Sequence, residues 1–278
     1  MNTLVHAQAV DDHYGRADLA TTILQALQAA GKDVERLTPE DLAPVDQFHS
    51  RGIVATLELA ERAGLAAGAH VLDVGGGLGG AARALAQRIG CRVTVLDLTR
   101  EYCHAGALLT ARCGLAERVR FECGSALAMP FADAAFDAAW SQHSSMNIAD
   151  KPRLYGEIAR VLKRGGTFAL HEIAAGPRAP VHFPVPWART PEISHLVAPD
   201  ELRALVVAAG FAEREWIDET DRVLDWFARG AAAAAGGALP PLGLHVLLGP
   251  DFGAMFANQV RNLNEERIRV VQGVFERR

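Results

Sequence analysis

This sequence has no excess of positive charge and no long apolar run. Charged residues make up 22% of the 278 positions, and the formal net charge is -5. Binding to nucleic acid depends on a basic surface that releases counterions, so we expect no nucleic-acid partner. No stretch reaches the roughly 18 consecutive apolar residues that span a bilayer, so we expect no membrane partner. Since 50% of the residues are hydrophobic, the chain can bury the core of a globular enzyme.

Cysteine is also rare, with four residues at Cys91, Cys103, Cys113 and Cys123. No Cys-x-x-Cys pair indicates zinc binding or redox chemistry, and buried, reduced thiols are the simpler interpretation. The first residues lack a basic start followed by an apolar core, so we expect a cytoplasmic protein. The composition does not divide the chain into halves, which predicts one main domain, as a monomer or a homodimer.

Short apolar strands alternate with helical segments from His70 onward. This alternation is typical of a parallel sheet with helices on both faces, joined by right-handed crossovers. The fold class is therefore α/β, with a doubly wound and mostly parallel sheet. The segment Lys163-Arg164-Gly165-Gly166 is interpreted as the end of the helix predicted at residues 153–162. The predicted strands are HVLDV, RVTVLD, RVRFE, FDAAW and TFALHEI, and the predicted helices cover residues 79–89, 102–113 and 153–162.

Helical segments precede this alternating region. Leu19, Ile23 and Leu27 recur every four residues, which predicts an amphipathic helix starting near Asp18. Thr38 has the features of an N-cap for a second, short helix, with a proline and two acids directly after it. A third helix is expected at residues 53–63. Residues 1–64 are thus predicted to form a helical cap on a cofactor-binding core of residues 65–175.

A proline-rich loop follows the core. Five prolines lie between residues 176 and 191, where they forbid a regular helix or a central strand, and we expect a lid or a pocket wall. Residues 176–278 are predicted to form the lid and the rest of the sheet. They are expected to contain a helix at 199–210, the edge strand FAEREWID, a mobile connection from Ala231 through GGALPPLG, a helix at 252–267 and the final strand IRVVQGVF.

The most informative stretch is the glycine-rich turn VLDVGGGLGG after the first strand. Glycines at a strand-to-helix turn let the backbone approach a ligand closely and leave helix N–H groups free to bind it. Gly75, Gly77 and Gly80 match the G-x-G-x-x-G dinucleotide fingerprint, and Asp97 stands twenty residues after Gly77, where it can bind a ribose diol. The glycines alone fit a dinucleotide or an adenosyl cofactor.

Asp73 favours the adenosyl cofactor. It stands two residues before the first glycine, at the carboxyl end of the strand, where it can hold an ammonium group through a charge-assisted hydrogen bond. S-adenosylmethionine carries such an ammonium group. A dinucleotide would instead bring a pyrophosphate to this turn, and the carboxylate would repel it. The sequence therefore predicts S-adenosylmethionine as the cofactor.

Five motifs in order resemble the class I S-adenosylmethionine-dependent methyltransferases, within the group of phosphoethanolamine, sarcosine/dimethylglycine and quinone-ring methyltransferases. The resemblance runs from about Asp46 to Gly210. It implies a seven-stranded Rossmann-like sheet, S-adenosylhomocysteine as the product, and a small-molecule acceptor that is an amine, a phenol or an activated carbon. The motifs are VLDVGGGLGG, VTVLDLT, ECGSALAMPF, FDAAWSQHSSMNI and EIARVLKRGGTFALHEI.

The resemblance also implies a set of cofactor contacts. Asp73 and the glycine turn would line the methionine end, and Asp97 would bind the ribose. Ser125 stands where the family usually has an acid that accepts from the adenine amino group, so here that contact is weaker or comes from the backbone. The implied cofactor-binding residues are Phe48, His49, Asp73, Gly75, Gly77, Asp97, Leu98, Ser125, Ala126 and Gln142.

The fourth motif carries the catalytic candidate. Phosphoethanolamine-type relatives have an acid and, four residues later, a histidine where this chain has His143 and Asn147, which argues against a phosphobase acceptor. Methyl transfer depends chiefly on alignment and on the exclusion of water. A histidine just past a strand end can still take a proton from the acceptor. We predict His143 as the base and Tyr14 as its partner.

Four residues are predicted to contact the acceptor: Arg51, Asn147, His171 and Trp187. Arg51 replaces a family glycine and could reach the donor carboxylate or an acidic substrate. His171-Glu172 ends the fifth strand, where one of two successive side chains points into the cleft. Trp187, in the proline-rich loop, could form an apolar wall or face a cationic amine. No metal is predicted, because no close His-x-x-x-His pair is present.

Two other functions remain open from the sequence. The literal G-x-G-x-x-G match supports a nicotinamide-dependent oxidoreductase. The missing acid and histidine of the fourth motif support a protein that binds S-adenosylmethionine without catalysis.

Overall fold

The computed structural model describes residues 9–10, 13–15, 18–234 and 240–278. Within them, seven strands form one sheet in the order β3-β2-β1-β4-β5-β7-β6. The first five strands pair in parallel, and β7 lies antiparallel between β5 and β6. The predicted doubly wound, mostly parallel seven-stranded sheet is confirmed. The strands are β1 (His70–Val74), β2 (Arg92–Asp97), β3 (Val119–Cys123), β4 (Phe136–Gln142), β5 (Leu162–Ala175), β6 (Phe211–Asp218) and β7 (Ile268–Arg277).

Helices cover both faces of the sheet. The predicted N-cap at Thr38 is confirmed, because its side chain accepts from the Asp41 N–H in a capping box. Asp150 likewise caps its helix by accepting from Arg153. The helices are α1 (Leu19–Ala29), α2 (Pro39–Asp46), α3 (Gly52–Ala63), α4 (Gly80–Arg88), α5 (Arg100–Arg112), α6 (Lys151–Val161), α7 (Pro199–Ala208), α8 (Thr220–Ala234), α9 (His245–Leu248) and α10 (Phe252–Asn264).

Strand β1 is buried on both sides of the sheet. Leu72 and Val74 pack into one core cluster with Ile158 of α6, and Val71 packs into a second cluster with Leu85 of α4. Alternate residues of one strand therefore contribute to two cores. Since both faces are covered by helices, ligands are expected in the crevice at the carboxyl ends of the strands.

A buried ion pair fixes the N-terminal helices beside that crevice. The Arg83 guanidinium of α4 donates to the Asp46 carboxylate at the end of α2 at 2.7 Å, and to the Thr110 hydroxyl of α5 at 2.7 Å. Both charged side chains are almost fully buried, which is tolerated because each is paired. A Cβ at Gly80 would clash with the Asp46 backbone, so α2 and α4 approach closely only with glycine at this position.

Two parts of the predicted secondary structure are wrong. Lys163–Gly166 does not separate α6 from the next strand, because β5 begins at Leu162 and this stretch forms an irregularity in its pairing with β4. Residues 231–234 complete helix α8, in keeping with the high helix propensity of alanine. The following residues 235–239 of the predicted connection lie outside the described residues. No described helix is long and apolar enough to cross a membrane.

Candidate active site

The glycine turn connects β1 to α4 at the carboxyl edge of the sheet. Gly75 has φ +70°, and a Cβ there would clash with the Ser144 side chain after β4. Gly77, with φ +55°, donates its N–H to the Asp97 carboxylate at 2.8 Å. The turn thus needs glycine both for its backbone conformation and for its close approach to neighbouring segments.

A large cavity opens beside this turn, at the ends of β1, β2 and β4. Its volume of about 990 Å³ lies at the upper end of the range for small-molecule sites. The structure brings all ten predicted cofactor-binding residues to its wall, although their contacts with a cofactor remain predictions. These residues are Phe48, His49, Asp73, Gly75, Gly77, Asp97, Leu98, Ser125, Ala126 and Gln142. We call this space the donor cavity.

Two carboxylates give the donor cavity its charge. The side chain of Asp73 is 1% exposed, and its Oδ2 atom has no hydrogen-bond partner among the described residues. Burial, with a further contribution from the Asp97 charge, raises the pKa of Asp73 to about 7. Asp97 is held in place because it also accepts from the Thr99 N–H at 2.9 Å. An ammonium group would satisfy Asp73, and the arrangement fits the amino-acid end of S-adenosylmethionine.

His143 lies directly beyond β4 and lines the donor cavity. Its backbone has φ +50°, a conformation that non-glycine residues adopt mainly where surrounding structure enforces it. The Nε2 atom is buried and has no partner within the described part of the chain. Burial, followed by the neighbouring His49, lowers the pKa of His143 well below its ordinary value. Its imidazole is therefore neutral near pH 7 and can accept a hydrogen bond.

Glu172 holds the loop that carries His143. Its buried carboxylate accepts from the Ser141 hydroxyl and from the backbone N–H groups of Ser144 and Ser145, the latter two at 3.2 Å. The expectation that His171 or Glu172 points into the cleft is wrong, since neither residue lines the donor cavity. His171 is fully buried behind Gln142, whose amide lies 3.4 Å from its Nδ1 atom.

Tyr14 pairs with Asn147 and not with His143. Its hydroxyl donates to the Asn147 Oδ1 atom at 3.0 Å, and burial raises its pKa well above the ordinary value, so the phenol stays protonated. The Asn147 amide donates to the backbone carbonyls of Trp187 and Ile193 at 2.8 and 2.9 Å. Asn147 lines the donor cavity, but its hydrogen bonds connect the N-terminal segment at Tyr14 to the proline-rich loop at Trp187.

Arg51 is committed to carboxylates of the protein itself. Its guanidinium pairs with Glu219, and with Glu58 at 2.8 Å, and the side chain is only 7% exposed. It lines neither the donor cavity nor the smaller recess around Trp187. We therefore correct the prediction that Arg51 contacts donor or acceptor. A buried guanidinium must be paired, and the sequence did not reveal which distant acids would pair with it.

An apolar recess adjoins the donor cavity. Its volume is about 40 Å³, and it contains Trp187, the one predicted acceptor residue found there. Helices α8 and α10 supply walls that the sequence analysis missed, because nothing in the sequence indicated that these helices would reach the site. We call it the aromatic recess, lined by Tyr14, Phe48, His49, Ser50, His143, Met146, Ile173, Pro186, Trp187, Trp226, Phe227, Leu244, Phe256 and Gln259.

No group of three or more His, Cys, Asp or Glu residues in the described part of the chain is arranged to hold a metal ion. The rings of His49, His143 and His171 do lie close together, with centroids 4.8 to 6.2 Å apart. They form a cluster of neutral imidazoles beside the cavity.

Part of the chain is similar to known methyltransferases. Residues 72–170 match the family model described as "Methyltransferase domain". The chain is 40% identical over 114 residues to a sterol 24-C-methyltransferase of Eremothecium gossypii, covering 41% of this chain and 31% of that protein. It is 30% identical over 171 residues to the O-methyltransferase resE of Aspergillus sclerotiorum, covering 60% and 64%. The chain thus spans less than two thirds of the length of these relatives.

Solved structures share the whole fold. A geranyl diphosphate C-methyltransferase from Streptomyces coelicolor A3(2) has a TM-score of 0.71 at 18% identity, covering 100% of this chain and 99% of the other. The [4+2]-cyclase SpnF has a TM-score of 0.65 at 24% identity, covering 88% and 99%. These likenesses extend over the sheet and its flanking helices.

Proposed function

We propose that this chain is a class I S-adenosylmethionine-dependent methyltransferase that transfers a methyl group from S-adenosylmethionine to a small molecule, and the match of residues 72–170 to a methyltransferase domain supports this. The observation that carries the proposal is Asp73, a buried carboxylate with no partner for its Oδ2 among the described residues, on the wall of the donor cavity. Buried polar atoms normally have partners. A ligand ammonium group would supply the missing one.

The two carboxylates would bind different parts of the donor. Asp73 would accept from the ammonium group, and Asp97, fixed by Gly77 and Thr99, would accept from the ribose hydroxyls. Leu98, Ser125 and Ala126 would surround the adenine. When bound, the donor supplies an electrophilic methyl group. The protein's part is to align the acceptor with that methyl group and to exclude water.

His143 would act on the acceptor. It lines both the donor cavity and the aromatic recess, so it stands where an acceptor would meet the donor. Its buried Nε2 atom is open to a hydrogen bond from the acceptor's nucleophile and can take the proton as the methyl group is transferred. Tyr14, bonded to Asn147, would shape the same junction without exchanging protons.

Two alternative functions are nicotinamide-dependent oxidoreduction and donor binding without methyl transfer. A pyrophosphate beside Asp73 and Asp97 would face two carboxylates, which disfavours a nicotinamide cofactor. The similarity of the fold to a chain described as a [4+2]-cyclase keeps a donor-binding protein without methyl transfer as the second candidate, because fold does not fix function.

Calorimetric titration with S-adenosylmethionine, S-adenosylhomocysteine and NAD tests the cofactor. We expect both sulfur nucleosides to bind and NAD not to bind. Incubation with methyl-labelled donor and a panel of phenols, amines and 1,3-diketones then tests transfer. NAD binding without donor binding contradicts the proposal, and donor binding without label transfer to any acceptor favours the non-catalytic candidate.

We also propose a cytoplasmic location. All four cysteines are free, as expected for a reducing compartment.

A further inference from the structure

The aromatic recess lies directly against the donor cavity. Tyr14, Phe48, His49 and His143 line both spaces, so a molecule in the recess reaches the proposed methyl-transfer point beside His143. The recess itself has room for only a small group of atoms, since its volume is about 40 Å³. One end of an acceptor can therefore enter it while the rest lies in the donor cavity.

The described wall of the recess contains no Asp, Glu, Lys or Arg side chain. The buried cation Arg51, next in the chain to the recess residue Ser50, is neutralised by Glu58 and Glu219. A phosphate or an ammonium group would therefore lose its water without gaining a counter-charge. Aromatic faces attract cations, but that attraction is weak beside the cost of removing an ammonium group from water. We therefore expect this wall to favour an uncharged group.

Gln259 adds an amide to this mostly apolar wall, which also contains the polar groups of Tyr14, His49, Ser50 and His143. Gln259 of α10 is 4% exposed and lines the recess. Its amide makes no hydrogen bond with any other described residue. A buried amide normally has partners, and this one can both donate and accept. It is therefore suited to bind an oxygen of a ligand in the recess.

We infer that the aromatic recess takes one uncharged, apolar end of the methyl acceptor and that Gln259 binds a hydroxyl or carbonyl oxygen on that end. The acceptor class is thus a neutral hydrophobic molecule bearing such an oxygen, and not a diphosphate, a phosphobase or a cationic amine. This inference rests on the proposed methyl-transfer function, because it assigns the second substrate of that reaction. It also makes Gln259 a determinant of specificity.

Three ligands with the same benzyl group test whether the recess prefers an uncharged group. Benzyl alcohol, benzylammonium and benzyl phosphate are titrated into the protein saturated with S-adenosylhomocysteine, and binding is followed by calorimetry. We expect the alcohol to bind at least about tenfold more tightly than either ion, since a buried ion would lack a partner. Equal or tighter binding of an ion overturns the inference, as does failure of all three to bind.

The variant Gln259→Leu tests the anchor, with toluene as the probe that lacks the oxygen. In the wild type we expect benzyl alcohol to bind better than toluene, and in the variant we expect this preference to fall by about fivefold to tenfold, the equivalent of one hydrogen bond. Asn264→Leu makes the same kind of change at an exposed site on α10 and is expected to leave the preference unchanged. An unchanged preference in Gln259→Leu refutes the role of Gln259.

The affinity for S-adenosylhomocysteine distinguishes failure of the proposed methyl-transfer function from failure of the inference about the aromatic recess. If this nucleoside fails to bind the wild type, the proposed function fails, and the probes are then titrated alone to test the recess. If it binds normally to Gln259→Leu, the variant is folded, and its change in probe preference reports on the recess.

Discussion

Replacing Asp73 with asparagine should weaken donor binding and, at the same time, stabilise the unliganded protein. The change removes the charge and keeps the size of the side chain. A hydrogen bond to a charged group contributes about 1.5 to 3 kcal/mol, so we expect the affinity for S-adenosylmethionine to fall about 10- to 100-fold. Opposite effects on binding and stability are the signature of a carboxylate kept for a ligand.

The size of the stability effect follows from the pKa of Asp73. That pKa is raised from 3.8 to about 7, and one pKa unit corresponds to about 1.4 kcal/mol. A carboxyl whose pKa is raised by folding contributes fully to stability below pH 3.8, and this contribution, about 4 kcal/mol, is lost as the pH rises to about 7. Asparagine does not titrate, but its unpartnered amide costs about 1 to 3 kcal/mol.

The two terms predict a crossover with pH. At about pH 8 the unliganded variant should be about 1 to 3 kcal/mol more stable than the wild type, and at about pH 4 it should be less stable by a similar amount. Urea denaturation at both pH values measures this, and calorimetric titration measures donor affinity. Asp225→Asn, at an exposed position, is the matched control. A variant that is destabilised at both pH values and binds the donor normally would refute the reasoning.

Three further changes test other parts of the site. His143→Gln should lower turnover about 100-fold or more while changing S-adenosylhomocysteine affinity less than about twofold; full activity would remove His143 from the mechanism. Arg51→Leu should destabilise the protein by about 3 kcal/mol in urea denaturation, the lower end of the range for a broken buried pair, because Arg222 also contacts Glu219; a loss of donor affinity in the folded variant would instead reinstate Arg51 as a ligand contact. The pKa of His49 is lowered from 6.5 to about 4, so its contribution to stability is present above pH 6.5 and is lost as the pH falls to about 4, by about 3 kcal/mol. His49→Gln should lack this part of the acid destabilisation, and an unchanged pH dependence of unfolding would contradict it.

The sequence predicted the sheet, and it placed the glycine turn and its two acids at one edge, because these features depend on local patterns. The turn from Gly75 to Gly80, the acid at Asp73 and the second acid at Asp97 follow their strands directly, and parallel strands bring their carboxyl ends to one edge. All of them therefore meet once the strand order is fixed. Their contacts with a donor, and the division of the chain into cap, core and lid, stay predictions.

The sequence could not predict the contacts made between distant segments. Arg51 pairs with Glu219, 168 positions away, and no local pattern marks such a partner. His171 lies at the expected end of β5, but its side chain is fully buried and contacts the Gln142 amide. Gln259 lies in an ordinary amphipathic helix, and only the packing of α10 against the sheet brings it to the recess.

The position of β7 dictates an order of assembly. Among the described strands, β6 pairs only with β7, so we expect β6 to remain unpaired during synthesis until a strand about fifty residues later emerges. Helices α8 and α10 lie in that interval. The part of the protein around the glycine turn can form on a nascent chain from contacts between neighbouring segments. The aromatic recess forms only after the long-range pairing of β7, and such pairing slows folding. Destabilising β7 should therefore harm selection of the acceptor before it harms capture of the nucleoside.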